Sequence, residues 1–212
     1  MGDFYDKSLR EIIELAASSK PTPGGGSVSA VVANFGLAMI AMVCRLTAGN
    51  VKDQDLGRQV NEILDSINNL MPRLEKLVYE DMLAFDRYMA AARLPKITDS
   101  EIKARQEAIQ KALKIATDIP LETARVCLEG LRLADKLAGI GNRLVISDVG
   151  VGAALTEAAI SGVLLSAEIN MSMITDQKYV KKMAARKEVI TAEASQLKAK
   201  VLDIVQERIR PI

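Results

Sequence analysis

The chain has no histidine in 212 residues, and that absence removes more chemistry than any motif adds. Ser-His-Asp and Cys-His nucleophilic catalysis, His-ligated zinc and His-based phosphotransfer are excluded. Acid–base work must come from Asp, Glu, Lys, Tyr or Cys with a tuned pKa. Aromatics make up 3% of the residues, so base-stacking platforms for single-stranded nucleic acid are lacking. Charge of one sign is lacking too: 28 Lys and Arg stand against 27 Asp and Glu, and no bulk positive field draws nucleic acid or anionic lipid. The two cysteines, Cys44 and Cys127, lie in apolar helical contexts. They read as buried free thiols in a reducing cytosol rather than a disulfide or a metal pair, and no metal site is expected.

With 49% hydrophobic residues the chain can bury a substantial core as one domain spanning 1–212. Val28 to Ala48 is long enough to cross a bilayer. It carries Asn34 and Arg45, favours Ala and Gly over Leu and Phe, and lacks a basic flank, so no membrane span is expected. The start Met1-Gly2-Asp3-Phe4-Tyr5-Asp6 is acidic and has no signal-peptide hydrophobic core. A cytoplasmic protein follows.

Apolar residues repeat at helical spacing nearly throughout, predicting an all-α, elongated bundle of about six helices, some long and kinked. The first runs over about 8–19. The second, from Ser27 to about Gly49, is Ala-rich and apolar nearly all round, hence central. The third, about 53–93, carries Ile63, Ile67, Leu70, Leu74 and Leu77 as its stripe, with Pro72 as a kink. The fourth opens at the Thr98-Asp99-Ser100-Glu101 cap signal and continues past a break at Pro120 to about Leu137. Ser147 or Asp148 caps a fifth, Ala- and Gly-rich, reaching about Met173, and a charged amphipathic sixth covers about 176–208. The two apolar helices, second and fifth, should pair at the core. Two long amphipathic helices beside them offer more apolar surface than one such chain hides, so a homodimer is expected.

The segment Pro21-Thr22-Pro23-Gly24-Gly25-Gly26-Ser27 places three glycines before the apolar run. Pro23 stops any preceding helix, the glycines permit close approach of a ligand to backbone, and Ser27 suits an N-cap. Unpaired amides of the first turn, with the positive end of the helix dipole, would form an anion or carbonyl pocket. A tight helix connection fits the same residues equally well. No Lys-Ser/Thr follows the glycines and no strand precedes them, so neither a Walker loop nor a dinucleotide fingerprint is present.

Polar groups on apolar helices are the informative ones, because burying them is expensive unless they are paired or used. Asn34, Arg45, Asp148, Glu157, Glu168 and Asn170 form this set. Asp148, near Gly141-Asn142 and Ser147, could cap its own helix or meet a ligand. Asp81 lies in the apolar stretch Val78 to Phe85, whereas Asp86 is turned away by about 140°. Lys20 and Lys52 flank the glycine-loop helix and could touch an anionic ligand.

These residues resemble the formiminotetrahydrofolate cyclodeaminase and methenyltetrahydrofolate cyclohydrolase family over most of the chain. The carriers are Pro23-Gly24-Gly25-Gly26-Ser27, Met42-Val43-Cys44-Arg45-Leu46-Thr47, Asp81-Met82-Leu83-Ala84-Phe85 with Leu94-Pro95-Lys96, Ile119-Pro120-Leu121, Gly141-Asn142 with Ser147-Asp148, and Ile169-Asn170 with Ile174-Thr175-Asp176. The resemblance implies an all-α dimer with a tetrahydrofolate site in a cleft between helices, and no cofactor beyond that folate substrate. It implies Asp81 and Asp148 as site carboxylates, Gly24 to Ser27 as folate-contacting backbone, and Asn142 and Asn170 as polar wall. Two positions depart from the family pattern. Ser166 stands where relatives often carry Asn, and Asn50-Val51-Lys52 replaces a more basic and aromatic stretch.

Hydrolysis of the methenyl amidinium needs a positioned water, a carboxylate to take its proton and a donor for the departing nitrogen. Cyclodeamination of formiminotetrahydrofolate reaches the same cation by closing the ring and expelling ammonia. The chain carries no formiminotransferase segment, so cyclohydrolase is the first expectation. A cyclodeaminase served by a separate formiminotransferase is the second, and a non-catalytic folate-binding scaffold the third. Asp148, placed at a helix start, is favoured as the acid–base group, and Asp81 as the fixed charge.

Overall fold

The three-and-four spacing of apolar side chains becomes six α-helices, with no strand among the described residues: α1 (Leu9–Ala16), α2 (Gly25–Ala48), α3 (Gln54–Ala92), α4 (Asp99–Ile140), α5 (Ile146–Met171) and α6 (Gln177–Ile209). The computed structural model describes residues 4–49 and 53–210. Lys52, with Asn50 and Val51, lies outside them. Side chains fix most boundaries. Ser8 with Glu11 and Thr98 with Glu101 form capping boxes at α1 and α4, and Asp53 and Asp176 cap α3 and α6.

Two expected boundaries shift. The second helix opens at Gly25 behind Gly24, not behind Ser27, and the fifth opens at Ile146 behind Val145 with no side-chain cap. Ser147 and Asp148 thus sit inside the first turn of α5 rather than capping it. The expected break at Pro120 is absent, because α4 runs unbroken through it. Pro120 has no N–H, which orphans the Ala116 carbonyl one turn back. The side-chain amide of Asn170 donates to that oxygen at 2.7 Å, and the helix continues.

Successive helices run up and down. Ser27 meets Asp81 and Arg45 meets Asn68 across α2 and α3, while Asn170 meets Ala116 across α4 and α5. Lys198 with Glu157 and Lys187 with Glu168 tie α6 to α5, and Arg132 with Glu193 ties it to α4. The starts of α2, α4 and α6 therefore share one end of the bundle with the ends of α3 and α5. Asn142 and Asp148 lie at the other. At 39 and 42 residues, α3 and α4 extend roughly 60 Å, against about 36 Å for α2. Their hairpin projects past the start of α2, giving the elongated shape.

One contiguous core runs through α2 to α6, with Leu37, Ile40, Ile67, Leu74, Leu121, Leu131 and Ile160 fully buried. As expected, α2 and α5 pack directly on each other. The contact is backbone-close at their midpoint, where a Cβ on Gly152 would lie 2.7 Å from the Gly36 carbonyl oxygen. Both helices are long and apolar enough to cross a membrane, yet 56% and 50% of their most apolar windows are buried in the bundle. The remainder forms two stripes side by side on the outer face: Val28, Val32, Phe35 and Met39 on α2, and Val151, Ala154, Ala158, Leu165 and Ile169 on α5. Phe35 is 51% and Leu165 66% exposed.

Candidate active site

The first turn of α2 has amide donors and no side-chain cap of its own, since Gly24 occupies the N-cap. The missing acceptor comes from α3. Val60, Ile63, Ile67, Leu70, Leu74 and Leu77 form the buried stripe of that helix in steps of three and four. The next step lands on Asp81, so a carboxylate occupies what would be a core position. It meets the α2 start because α2 and α3 run antiparallel, and the Ser27 hydroxyl donates to Asp81 Oδ2 at 2.6 Å.

The glycines make this approach possible. A Cβ on Gly26 would lie 2.7 Å from Asp81 Cγ and 2.8 Å from Oδ2, closer than carbon tolerates. Burial raises the Asp81 pKa above the usual carboxylate range, and the Ser27 hydroxyl and amide oppose that shift. At this helix start, where a ligand's anion or carbonyl was anticipated, stands the protein's own carboxylate. Ser27 is fully buried and serves Asp81 rather than capping the helix as an exposed substrate contact. Gly25 remains exposed, Gly24 and Asp81 are half-buried and Pro23 is buried behind them. Ser166 of α5 borders the same loop, its Oγ 3.6 Å from where a Gly25 Cβ would stand.

The other expected site residues separate from this group. Asn142 lies at the far end, where its Oδ1 accepts from the Leu144 amide at 3.0 Å and its own N–H donates to Thr47 Oγ1 at 2.8 Å. Asp148 is half-buried one turn further on. It precedes Ser166 by 18 residues on α5, five full turns, so the two point to the same side about 27 Å apart. Within one chain Asp148 and Asp81 do not share a cleft. Asn170 is at the correct end, but its amide is used on Ala116. Sequence reasoning missed that pairing, although Pro120 within a helical pattern signals an orphaned carbonyl four residues earlier.

Two open grooves among the described residues lie elsewhere. One of about 510 Å³ between α3 and α4 is flanked by Arg87 and Lys111, and one of about 620 Å³ between α4 and α6 by Lys182 and Arg186. Asp81 lines neither, and the carboxylates of the second, Glu129 and Glu193, are tied up in ion pairs with Arg125 and Arg132. The half-buried, desolvated carboxylate of Asp81 is the better marker of chemistry.

Known proteins share this architecture. The family model described as formiminotransferase-cyclodeaminase matches residues 8–189. The chain is 35% identical over 204 residues to the methenyltetrahydrofolate cyclohydrolase of Methylorubrum extorquens, covering 96% of this chain and 98% of that one. It is 33% identical over 203 residues to the chicken formimidoyltransferase-cyclodeaminase, spanning 37% of that longer protein. The crystal structure of formiminotetrahydrofolate cyclodeaminase from Thermotoga maritima superposes with a TM-score of 0.87 at 27% identity, covering 97% of this chain and 99% of that one. The chain belongs to the formiminotransferase-cyclodeaminase family.

Proposed function

We propose that the protein is a methenyltetrahydrofolate cyclohydrolase, converting 5,10-methenyltetrahydrofolate and water to 10-formyltetrahydrofolate in the cytosol. The observation that carries this reading is the half-buried, desolvated carboxylate of Asp81 at the head of α2 in a protein without histidine. Similarity along nearly the whole Methylorubrum cyclohydrolase supports hydrolysis. Water adds to the amidinium carbon and gives its proton to Asp81. The bond from that carbon to N5 then breaks, N5 takes a proton, the formyl group stays on N10 and one proton leaves to solvent. An ionised Asp81 also stabilises the cationic substrate in a site with little water.

The homodimer expectation gains a geometric reason. A second copy laid on the apolar stripes of α2 and α5, related by a two-fold axis crossing the helices, would cover Phe35, Leu165 and Ile169. Such an axis exchanges the two ends of the bundle. It would bring Asp148 of the second copy toward the glycine loop and Asp81 of the first, uniting carboxylates that one chain keeps at opposite ends of the bundle. Burial favours Asp81 as the proton acceptor and leaves Asp148 to balance charge or donate to N5.

An absorbance assay following loss of methenyltetrahydrofolate tests the reaction, beside one following ammonia release from formiminotetrahydrofolate. Asp81→Asn and Asp148→Asn should each lower kcat by roughly 10²-fold or more. Mixing the two variants should restore about a quarter of wild-type activity, since half the dimers are mixed and each holds one intact site. No restoration would leave Asp148 as a first-turn residue favouring the α5 dipole. The second reading, a cyclodeaminase fed by a separate formiminotransferase, is supported by the Thermotoga structure, and ammonia release without hydrolysis would select it. Folate binding without turnover would select a non-catalytic scaffold.

A further inference from the structure

We infer that Ser27 is a positioning residue whose hydroxyl fixes Asp81 by one oxygen and holds it ready to accept a proton; this rests on the reading of Asp81 as the reacting carboxylate. Three observations carry it. Ser27 is fully buried and its Oγ lies 2.6 Å from Oδ2, a short charge-assisted hydrogen bond. Gly26 supplies the space, since any Cβ there would displace the carboxylate. The other oxygen, Oδ1, also lies against Gly26, where a Cβ would meet it. Ser27 thus engages Oδ2 through its hydroxyl, and its amide also favours the ionised carboxylate.

The electrical consequence has a definite sign. Burial disfavours the ionised carboxylate, while the Ser27 hydroxyl and amide favour it, and no charged side chain acts on Asp81 among the described residues. From α2 the facing groups are the uncharged Gly25, Gly26 and Ser27. On α3 the adjacent Glu80 is paired with Lys76 at 3.2 Å, and on α5 the residue bordering the glycine loop is Ser166. Removing the hydroxyl therefore raises the pH at which Asp81 ionises, and the acid limb of kcat/KM moves upward with it.

The experiment compares Ser27→Ala and Ser27→Thr with the wild type in two readouts: the pH profile of methenyltetrahydrofolate hydrolysis, and the ¹³C carboxyl titration of Asp81 in the ligand-free protein, assigned by its loss in Asp81→Asn. Ser27→Ala should move both upward by about one pH unit, a tenfold change in the ionisation constant, and Ser27→Thr should restore both. An unmoved Asp81 titration in folded Ser27→Ala overturns the inference. A moved titration with an unmoved activity profile upholds the pairing and instead refutes Asp81 as the reacting group. Should Ser27→Ala fold poorly, the double variant with Asp81→Asn decides. A hydroxyl acting through Asp81 costs no further activity in that background, whereas an equal further loss refutes the role.

Discussion

Asn170 offers the most discriminating test of how this bundle is held, because its amide completes a hydrogen bond that the sequence of a different helix broke. Pro120 leaves the Ala116 carbonyl without its helical donor, and Asn170 Nδ2 supplies one at 2.7 Å. Asn170→Ala leaves that acceptor unsatisfied at a partly buried site, which costs about 1–3 kcal/mol. For a chain of this size the loss lowers Tm by about 2–4 °C per kcal/mol. The decisive comparison repeats the substitution in Pro120→Ala, where residue 120 regains an N–H and α4 satisfies its own carbonyl. The cost of Asn170→Ala should then fall by about 1 kcal/mol or more, a coupling that a double-mutant cycle measures by urea unfolding. Equal costs in both backgrounds would refute the account. A rise in KM for the folate with unchanged stability would instead return Asn170 to the substrate wall.

Gly26→Ala should displace the Asp81 carboxylate, breaking a charge-assisted hydrogen bond worth about 1.5–3 kcal/mol against a helix-propensity gain of about 1 kcal/mol; denaturant midpoints should fall slightly and kcat steeply, and wild-type kcat would contradict the contact. Phe35→Glu places a charge in the exposed stripe and should yield a folded monomer by sedimentation with little activity; a dimer of normal activity would exclude this face, and retention on lipid vesicles by the wild type would assign it to a membrane instead. Burial pushes the Cys44 thiol up to about 11 and that of Cys127 up to about 12, so both should resist thiol reagents at pH 8 and react only as fast as the protein unfolds.

The helices were legible because their apolar period survives folding almost unchanged, and so was Asp81, a carboxylate inside an apolar stretch. What sequence concealed are pairings between distant segments. Ser27 has the composition of an N-cap, yet Asp81, 54 residues away, claims its hydroxyl, and tertiary geometry overrides the local preference. Pro120 looked like a break because the donor that repairs it lies on α5. Asp148 and Asp81 looked like one pair because nothing local reveals that antiparallel packing sends the start of α5 and the end of α3 to opposite ends.

The seat of Asp81 alters what losing the reaction would mean for the fold. Reactive carboxylates commonly weigh on stability, so their removal tends to strengthen a protein. Here the same carboxylate finishes the first turn of a central helix, and its loss to Ala would forfeit that charge-assisted hydrogen bond, about 1.5–3 kcal/mol. Asn differs: its carbonyl oxygen still accepts from the Ser27 hydroxyl while its charge is gone. Selection for folding alone would therefore resist Ala at position 81 and tolerate Asn, which leaves a narrow evolutionary exit from catalysis. A descendant that had abandoned the chemistry would be expected to carry that single substitution while keeping the glycines and serine around it.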